Sequence, residues 1–137
     1  ESLPGQIKAR LSGLRALNTY DYGRTRAEDK KLSAQTPSAI HPVVRVLPDT
    51  GEKALYVSRL MTDRIVDIPE VESRELLELL FQHAESSAHV YEHAWQVNDI
   101  LIWDNRCVMH ARNDFPGDEP RLLKRLTVAD DRPPAPG

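Results

Sequence analysis

Residues 42–58 read PVVRVLPDTGEKALYVS and carry the clearest fold signal in the chain. Two β-leaning runs, residues 42–47 and 53–58, flank the tetrapeptide Pro48-Asp49-Thr50-Gly51. Proline, aspartate and glycine suit a tight turn there, because proline fixes φ and glycine tolerates positive φ. The pattern therefore predicts a β-hairpin.

Two helices and several further strands are predicted around this hairpin. The first helix starts near a capping Ser2, and Ile7, Leu11 and Leu14 follow at helical spacing. The second starts at a capping Ser73 and carries an apolar stripe made of Leu76, Leu77, Leu80, Phe81 and Ala84. The later strands span residues 90–97, 100–104, 107–111 and 122–128. Two helices with mostly antiparallel strands indicate an α+β chain built on a sandwich or barrel.

Two segments lack a regular period. Residues 18–40 are polar and charged, and a loop of that length in a compact domain is often a functional lid. A solvated connector is the alternative interpretation of the same segment. Residues 132–137, RPPAPG, predict a frayed tail.

Composition excludes several classes of protein. The 137 residues are 40% hydrophobic and 28% charged, which suits one globular domain and not a disordered chain. A net charge of −3 is not the excess of positive charge that is typical of nucleic-acid-binding proteins. Apolar runs of only a few residues exclude a membrane-spanning helix. The single cysteine, Cys107, fits a reducing compartment, and no apolar leader opens the chain. We therefore expect a cytoplasmic protein with no nucleic-acid or membrane partner.

One of the five histidines, His110, stands apart because of its surroundings. It ends a predicted strand-turn-strand segment, residues 99–110, with the turn at Asp104-Asn105. Arg121 and Arg125 follow at an even separation, so on a strand they share one face. Two guanidinium groups near a histidine would suit a dianionic ligand, since arginine matches carboxylates bidentately. Two solvated surface arginines are the alternative that spacing alone leaves open.

These residues carry a resemblance to a known family. The sequence WDNR at 103–106, followed by His110, Arg121 and Arg125, resembles the C-terminal signature of the taurine and chlorophenoxyacetate dioxygenase family. HPVVR at 41–45 with PDTGEKALYV at 48–57 is similar to the family's central hairpin, and YEHAW at 91–95 matches its usual order. The resemblance implies an iron(II), 2-oxoglutarate-dependent dioxygenase on a double-stranded β-helix, which is a jelly-roll fold related to the cupins.

The resemblance also implies roles for individual residues. His110 corresponds to the distal histidine ligand of the iron, and Trp103 to an aromatic residue beside it. Arg121 corresponds to the arginine that binds the distal carboxylate of 2-oxoglutarate. Arg125 corresponds to a second arginine that holds the other cosubstrate carboxylate or the acidic group of the substrate. The implied substrate is a small carboxylate or sulfonate, such as an aryloxyalkanoate or a taurine-like sulfonate.

One part of the family's pattern has no counterpart in this sequence. The iron site of such enzymes takes two histidines and one carboxylate, and the first histidine and the carboxylate come from an upstream His-x-Asp or His-x-Glu motif. The only such spacing here, His83-Ala84-Glu85, is in the wrong element and too near His110. We therefore expect residues 1–137 to be the C-terminal portion of one dioxygenase domain. Such a chain needs the upstream half of the barrel and is inactive alone.

A non-catalytic β-sandwich module is the alternative function. It would bind a small anion through Arg121 and Arg125 without a metal. Dependence on iron(II) and on His110 distinguishes the enzyme from this module. We further expect assembly into a homo-oligomer.

Overall fold

A computed structural model describes residues 2–20, 35–114, 116–118, 120, 122–129 and 132–137. In those residues the chain forms two helices and six strands. The elements are, in order, α1 (Gly5–Leu11), β1 (Arg15–Thr19), β2 (Ser38–Pro42), β3 (Val44–Val46), β4 (Lys53–Leu55), β5 (Thr62–Ile65), α2 (Glu70–Ala84) and β6 (Ala135–Pro136).

The strands form two small antiparallel sheets, ordered β2-β1-β5 and β4-β3-β6. The predicted hairpin is confirmed: β3 pairs with β4, with Val44 opposite Leu55 and Val46 opposite Lys53. The turn closes with the Gly51 amide donating to the Leu47 carbonyl at 2.8 Å. Gly51 has φ +74°, a conformation that glycine adopts without steric cost.

Both helices form, but neither begins at the predicted cap. Pro4 and Pro69 occupy the N-cap positions, and neither helix has a side-chain cap hydrogen bond. Ser73 instead lies inside α2, 2% exposed, where its hydroxyl accepts a hydrogen bond from the Ile65 amide at 2.7 Å. The predicted cap is therefore wrong, and Ser73 joins α2 to the end of β5.

The core lies where α1 and α2 pack on the first sheet. The leucines of the predicted α2 stripe are buried in it, as is Phe81, whereas Ala84 is only half-buried. The buried cluster consists of Leu11, Ala16, Val43, Val57, Ile65, Leu76, Leu77, Leu80 and Phe81. The amphipathic stripe of α2 thus predicts correctly which face of the helix is inside.

In the structure, parts of both segments that were predicted to be irregular form strands. Asn18 and Thr19 belong to β1, and residues 38–40 belong to β2, so the ends of the predicted 18–40 loop are paired strands. Residues 21–34 lie outside the described residues, and so does that part of the predicted lid. At the other end, Ala135–Pro136 forms β6 against β3, so this part of the tail is not frayed.

The four strands predicted after α2 do not form in the residues that the structure describes. The described parts of 85–134 contain bends and turns but no strand, and most of their side chains are exposed. Strands are stabilised by pairing with a neighbour and by burial of one face, and the described residues give this region neither. The apolar alternation of these residues is present, but nothing in the described chain covers it.

No helix in the described residues is both long and apolar enough to span a bilayer.

Candidate active site

The structure describes two of the three predicted site residues, His110 and Arg125. His110 lies in an exposed stretch without strand structure, and its imidazole packs against the indole of Trp103. The ring centroids are 5.0 Å apart and the planes are tilted by 50°. Partial burial lowers the pKa of His110 below its ordinary value, and the positive charge of Arg125 lowers it further. A neutral imidazole, which is the metal-binding form, is therefore favoured at this position.

The structure describes only one of the two predicted arginines. Arg125 is exposed, and it is near enough for its charge to act on His110. Arg121 lies outside the described residues, and the strand that was to place both arginines on one face does not form in residues 122–129. The shared face of Arg121 and Arg125 therefore stays a prediction.

The predicted turn between Trp103 and His110 does form. The Asp104 carbonyl accepts hydrogen bonds from the amides of Cys107 at 3.2 Å and Val108 at 3.0 Å. The indole Nε1 of Trp103 donates to Asn105 Oδ1 at 2.8 Å, which holds the ring beside the turn. This local network sets the direction in which the chain leaves toward His110.

Arg106 ties this turn to the β3–β4 hairpin. Its Nη1 donates to Asp49 Oδ2 at 2.7 Å, and its Nη2 donates to Asp104 Oδ2 at 2.8 Å. The hydrogen bonds from Arg106 lower the pKa of both carboxyl groups below their ordinary values. One guanidinium thus holds two carboxylates that are far apart in sequence.

A buried arginine lies on the neighbouring strand. Arg45 of β3 is 5% exposed, and its guanidinium carbon lies 5.0 Å from the centroid of the Tyr56 ring. Tyr56 also packs edge-on against His41, at 5.5 Å between centroids. Burial, and secondarily the charge of Arg45, lowers the pKa of His41. His41 therefore has a packing role, against the Tyr56 ring.

The described residues do not complete a metal centre. Among them, no three His, Cys, Asp or Glu side chains come close enough together to hold a metal ion. His110 offers one imidazole, whereas a non-haem iron site of the expected kind needs two histidines and a carboxylate. These residues therefore do not fit an iron site by themselves.

Comparison with known proteins identifies the family. The model described as "Taurine catabolism dioxygenase TauD, TfdA family" matches residues 1–127. The chain belongs to the TauD/TfdA family. The match includes the hairpin, the turn at 104–107, His110 and Arg125.

Individual TauD/TfdA relatives support the same conclusion. The chain is 34% identical over 136 residues to the alpha-ketoglutarate-dependent 2,4-dichlorophenoxyacetate dioxygenase of Cupriavidus pinatubonensis, covering 96% of this chain and 47% of that protein. It is 37% identical over 99 residues to pentalenolactone F synthase of Streptomyces arenae, covering 72% of this chain and 33% of the relative. The chain thus spans about half the length, or less, of these relatives.

Solved structures of the family agree with the fold. A taurine dioxygenase from Burkholderia xenovorans matches with a TM-score of 0.57 and 32% identity, over 69% of this chain and 30% of that chain. AAD-2 in complex with Mn(II) and N-oxalylglycine matches with a TM-score of 0.60 and 25% identity, over 69% of this chain and 38% of the other. The small antiparallel sheets with two helices are therefore part of a TauD-like fold.

Sequence reasoning missed Asp49 and Arg45 as neighbours of the candidate site. Asp49 was assigned only to a turn, and its partner Arg106 lies 57 positions away. In the sequence, Arg45 is noticed only as the last residue of the HPVVR motif. A charged residue in a strand that is otherwise apolar was the available signal, because a buried cation needs a compensating environment.

Proposed function

We propose that this chain is the C-terminal portion of an iron(II)- and 2-oxoglutarate-dependent dioxygenase that hydroxylates a small carboxylate- or sulfonate-bearing substrate. Membership of the TauD/TfdA family over residues 1–127, which include His110 and Arg125, carries this proposal. Relatives include a 2,4-dichlorophenoxyacetate dioxygenase and an alpha-ketoglutarate-dependent sulfate ester dioxygenase, so the substrates named for these two relatives carry a carboxylate or a sulfate ester.

His110 is proposed as one imidazole ligand of the iron. The supporting observations are the neutral form favoured by its lowered pKa and the Trp103 ring that covers one side of it. Bound iron with its cosubstrate would supply the oxidising chemistry, and the protein would supply placement and a dry pocket. The metal-binding role rests on the family pattern, and the contact with Trp103 and the lowered pKa of His110 support it.

Arg121 and Arg125 are proposed to bind the anionic groups. Arg121 would hold the distal carboxylate of 2-oxoglutarate, and Arg125 the other carboxylate or the acidic group of the substrate. A guanidinium can donate two parallel hydrogen bonds to a carboxylate, which fixes orientation as well as affinity. The charge of Arg125 near His110 would place an anion next to the metal ligand.

The missing metal ligands are proposed to come from an upstream half of the same barrel. The complete domain would be a double-stranded β-helix in which residues 90–97, 100–104, 107–111 and 122–128 become strands. The exposed apolar side chains of this region support the proposal, because pairing and burial would then have a partner. The lid role of residues 18–40 stays a prediction.

The assembly and compartment of the complete protein are also proposals. A cytoplasmic location suits the single free thiol of Cys107, because the cytosol keeps thiols reduced. Homo-oligomerisation stays a prediction, and light scattering on the complete protein measures it directly.

The decisive experiment measures ligand binding without turnover. The complete protein is titrated with N-oxalylglycine in the presence and absence of Mn(II), by calorimetry, as wild type and as His110→Ala and Arg125→Ala. We expect binding to require Mn(II), to be lost in His110→Ala, and to weaken about ten- to a hundredfold in Arg125→Ala, as for a lost charge-assisted contact. Anion binding that is indifferent to Mn(II) and to His110 would instead support the non-catalytic module.

A second measurement tests the isolated chain. Residues 1–137, supplied with iron(II), ascorbate and 2-oxoglutarate, should release no succinate above a control without protein, because one histidine does not replace a three-ligand site. The complete protein in the same assay is the positive control. Robust succinate release by the isolated chain would contradict the requirement for an upstream half.

A further inference from the structure

The segment that carries His110 is joined to the hairpin by side chains and not by a strand ladder. The described residues 99–114 contain no strand, so backbone pairing does not fix their distance from β3 and β4. One contact that crosses this distance is the 2.7 Å hydrogen bond from Arg106 Nη1 to Asp49 Oδ2. Asp49 lies in the hairpin turn, and Arg106 lies four residues before His110.

The same guanidinium also locks the turn from which the His110 segment leaves. Arg106 Nε lies 3.0 Å from both carboxylate oxygens of Asp104, and the Arg106 amide donates to Asp104 Oδ1 at 2.8 Å. Arginine presents several donors in a planar fork, so it can bind two carboxylates at fixed angles, which a lysine ammonium cannot do. A change at Asp49 would therefore reach Asp104 through one rigid group.

The buried Arg45 of β3 also acts on this turn through its charge. It is 5% exposed, and its Nε has no hydrogen-bond partner among the described residues. A buried cation is costly unless a negative charge is near, and the charge of Arg45 acts on Asp104, where it contributes to the lowered pKa of that carboxyl. Asp104 is thus bound directly by Arg106, and the positive charge of Arg45 also favours its ionised form.

We propose that Asp49 and Arg106 are positioning residues, and that their ion pair sets where the His110 segment lies relative to the β3–β4 hairpin. Neither residue is assigned to the metal or to the substrate; they act through Asp104 and the turn at 105–107. The importance of this placement for metal binding rests on the proposed function of His110. The placement itself does not, so the two can be tested separately.

The first test measures local opening in the 137-residue chain by hydrogen–deuterium exchange at the amides of residues 106–110. Asp49→Asn should raise exchange there about two- to fivefold, in the range of a partly exposed ion pair, and leave α2 unchanged. Arg106→Lys should give an intermediate increase, because the ammonium keeps the charge without the fork. The matched control is Arg74→Gln, which breaks the exposed i,i+4 pair with Glu70 and should leave residues 106–110 unchanged. Unchanged exchange in both Asp49→Asn and Arg106→Lys would overturn the proposal.

The second test measures Mn(II) affinity and the free energy of unfolding in the complete protein. Asp49→Asn should weaken Mn(II) binding about two- to fivefold with little change in unfolding, and Asp49→Glu should restore it. A purely structural role would instead lower stability and leave Mn(II) affinity unchanged, and this result would overturn the positioning role. If wild type does not bind Mn(II), the proposed function fails, while the exchange measurement still decides whether the ion pair places the segment.

Discussion

Leu80 of α2 is 0% exposed, whereas Leu126 after the candidate site is 98% exposed, although both lie in apolar stretches of similar composition. The first belongs to the described residues up to Ala84, where two helices and five strands bury a common core. The second belongs to residues 85–129, where the described chain forms no strand. Apolar alternation therefore gives a strand only where a neighbouring strand is available to pair with it.

Leucine truncation should expose this contrast most strongly. Leu80→Ala should lower the free energy of unfolding by about 2–5 kcal/mol, because it removes a fully buried side chain and leaves a cavity. Leu126→Ala should change it by less than about 0.5 kcal/mol, because that side chain is already in water. Urea unfolding followed by circular dichroism measures both. Equal effects would mean that residues 122–129 are packed in solution.

Removal of the Ser73 hydroxyl should have the next largest effect. Ser73→Ala leaves the buried Ile65 amide without its acceptor, which should cost about 1–3 kcal/mol of unfolding free energy. Ser87→Ala, at an exposed position just beyond α2, is the matched control and should be close to neutral. A neutral Ser73→Ala would show that another acceptor, such as water, reaches Ile65.

Glycine replacement should separate the two regions by a smaller amount. Gly51 has φ +74° with open space around its Cα, so Gly51→Ala should cost about 1–2 kcal/mol from backbone strain alone. Gly117, in the later region, has open space and no positive φ, so Gly117→Ala should stay within about 0.5 kcal/mol. Chemical denaturation of both variants measures the difference, and a neutral Gly51→Ala would mean that the hairpin turn relaxes to another type.

The smallest expected effect is a pH dependence that His41 and His110 share. Burial, aided by an arginine in each case, lowers the pKa of both imidazoles in the folded chain. Between that lowered value and the unfolded value of about 6.5, the unfolded chain binds more protons. The free energy of unfolding should therefore fall as pH decreases through this window and stay constant above it.

Urea titrations across about pH 5 to 8 test this dependence in each region separately. His41→Gln should reduce the pH dependence that comes from the residues up to Ala84. His110→Gln should reduce the pH dependence that comes from the candidate site. If His110→Gln leaves the curve unchanged while His41→Gln flattens it, the Trp103–His110 contact does not persist in solution.

The sequence predicted the features of this chain that depend on neighbours along it. The PDTG turn and the α2 stripe are confirmed because turn geometry and helical burial are set by residues a few positions apart. The helix starts were placed wrongly because Pro4 and Pro69, not serines, occupy the N-cap positions, and Ser73 binds a strand instead.

Features that depend on distant residues were not predicted. Strands β1, β2 and β5 pair across long sequence separations, and the first two cut into the predicted 18–40 loop. The strands expected after α2 do not form in the described residues, since their pattern gives a tendency and not a partner. In the candidate site, the family resemblance indicated His110, Arg121 and Arg125, whereas Arg106 and Asp49 lie 57 positions apart and no sequence pattern links them.

The two-residue strand β6 has a consequence for self-association. It occupies the outer edge of the β4-β3-β6 sheet, with Pro136 opposite Arg45. Proline has no amide hydrogen to donate, so this edge is a poor template for a strand from another molecule. This edge of the sheet therefore disfavours the edge-to-edge pairing that leads to fibrils. Intermolecular β-pairing would have to start elsewhere in the chain.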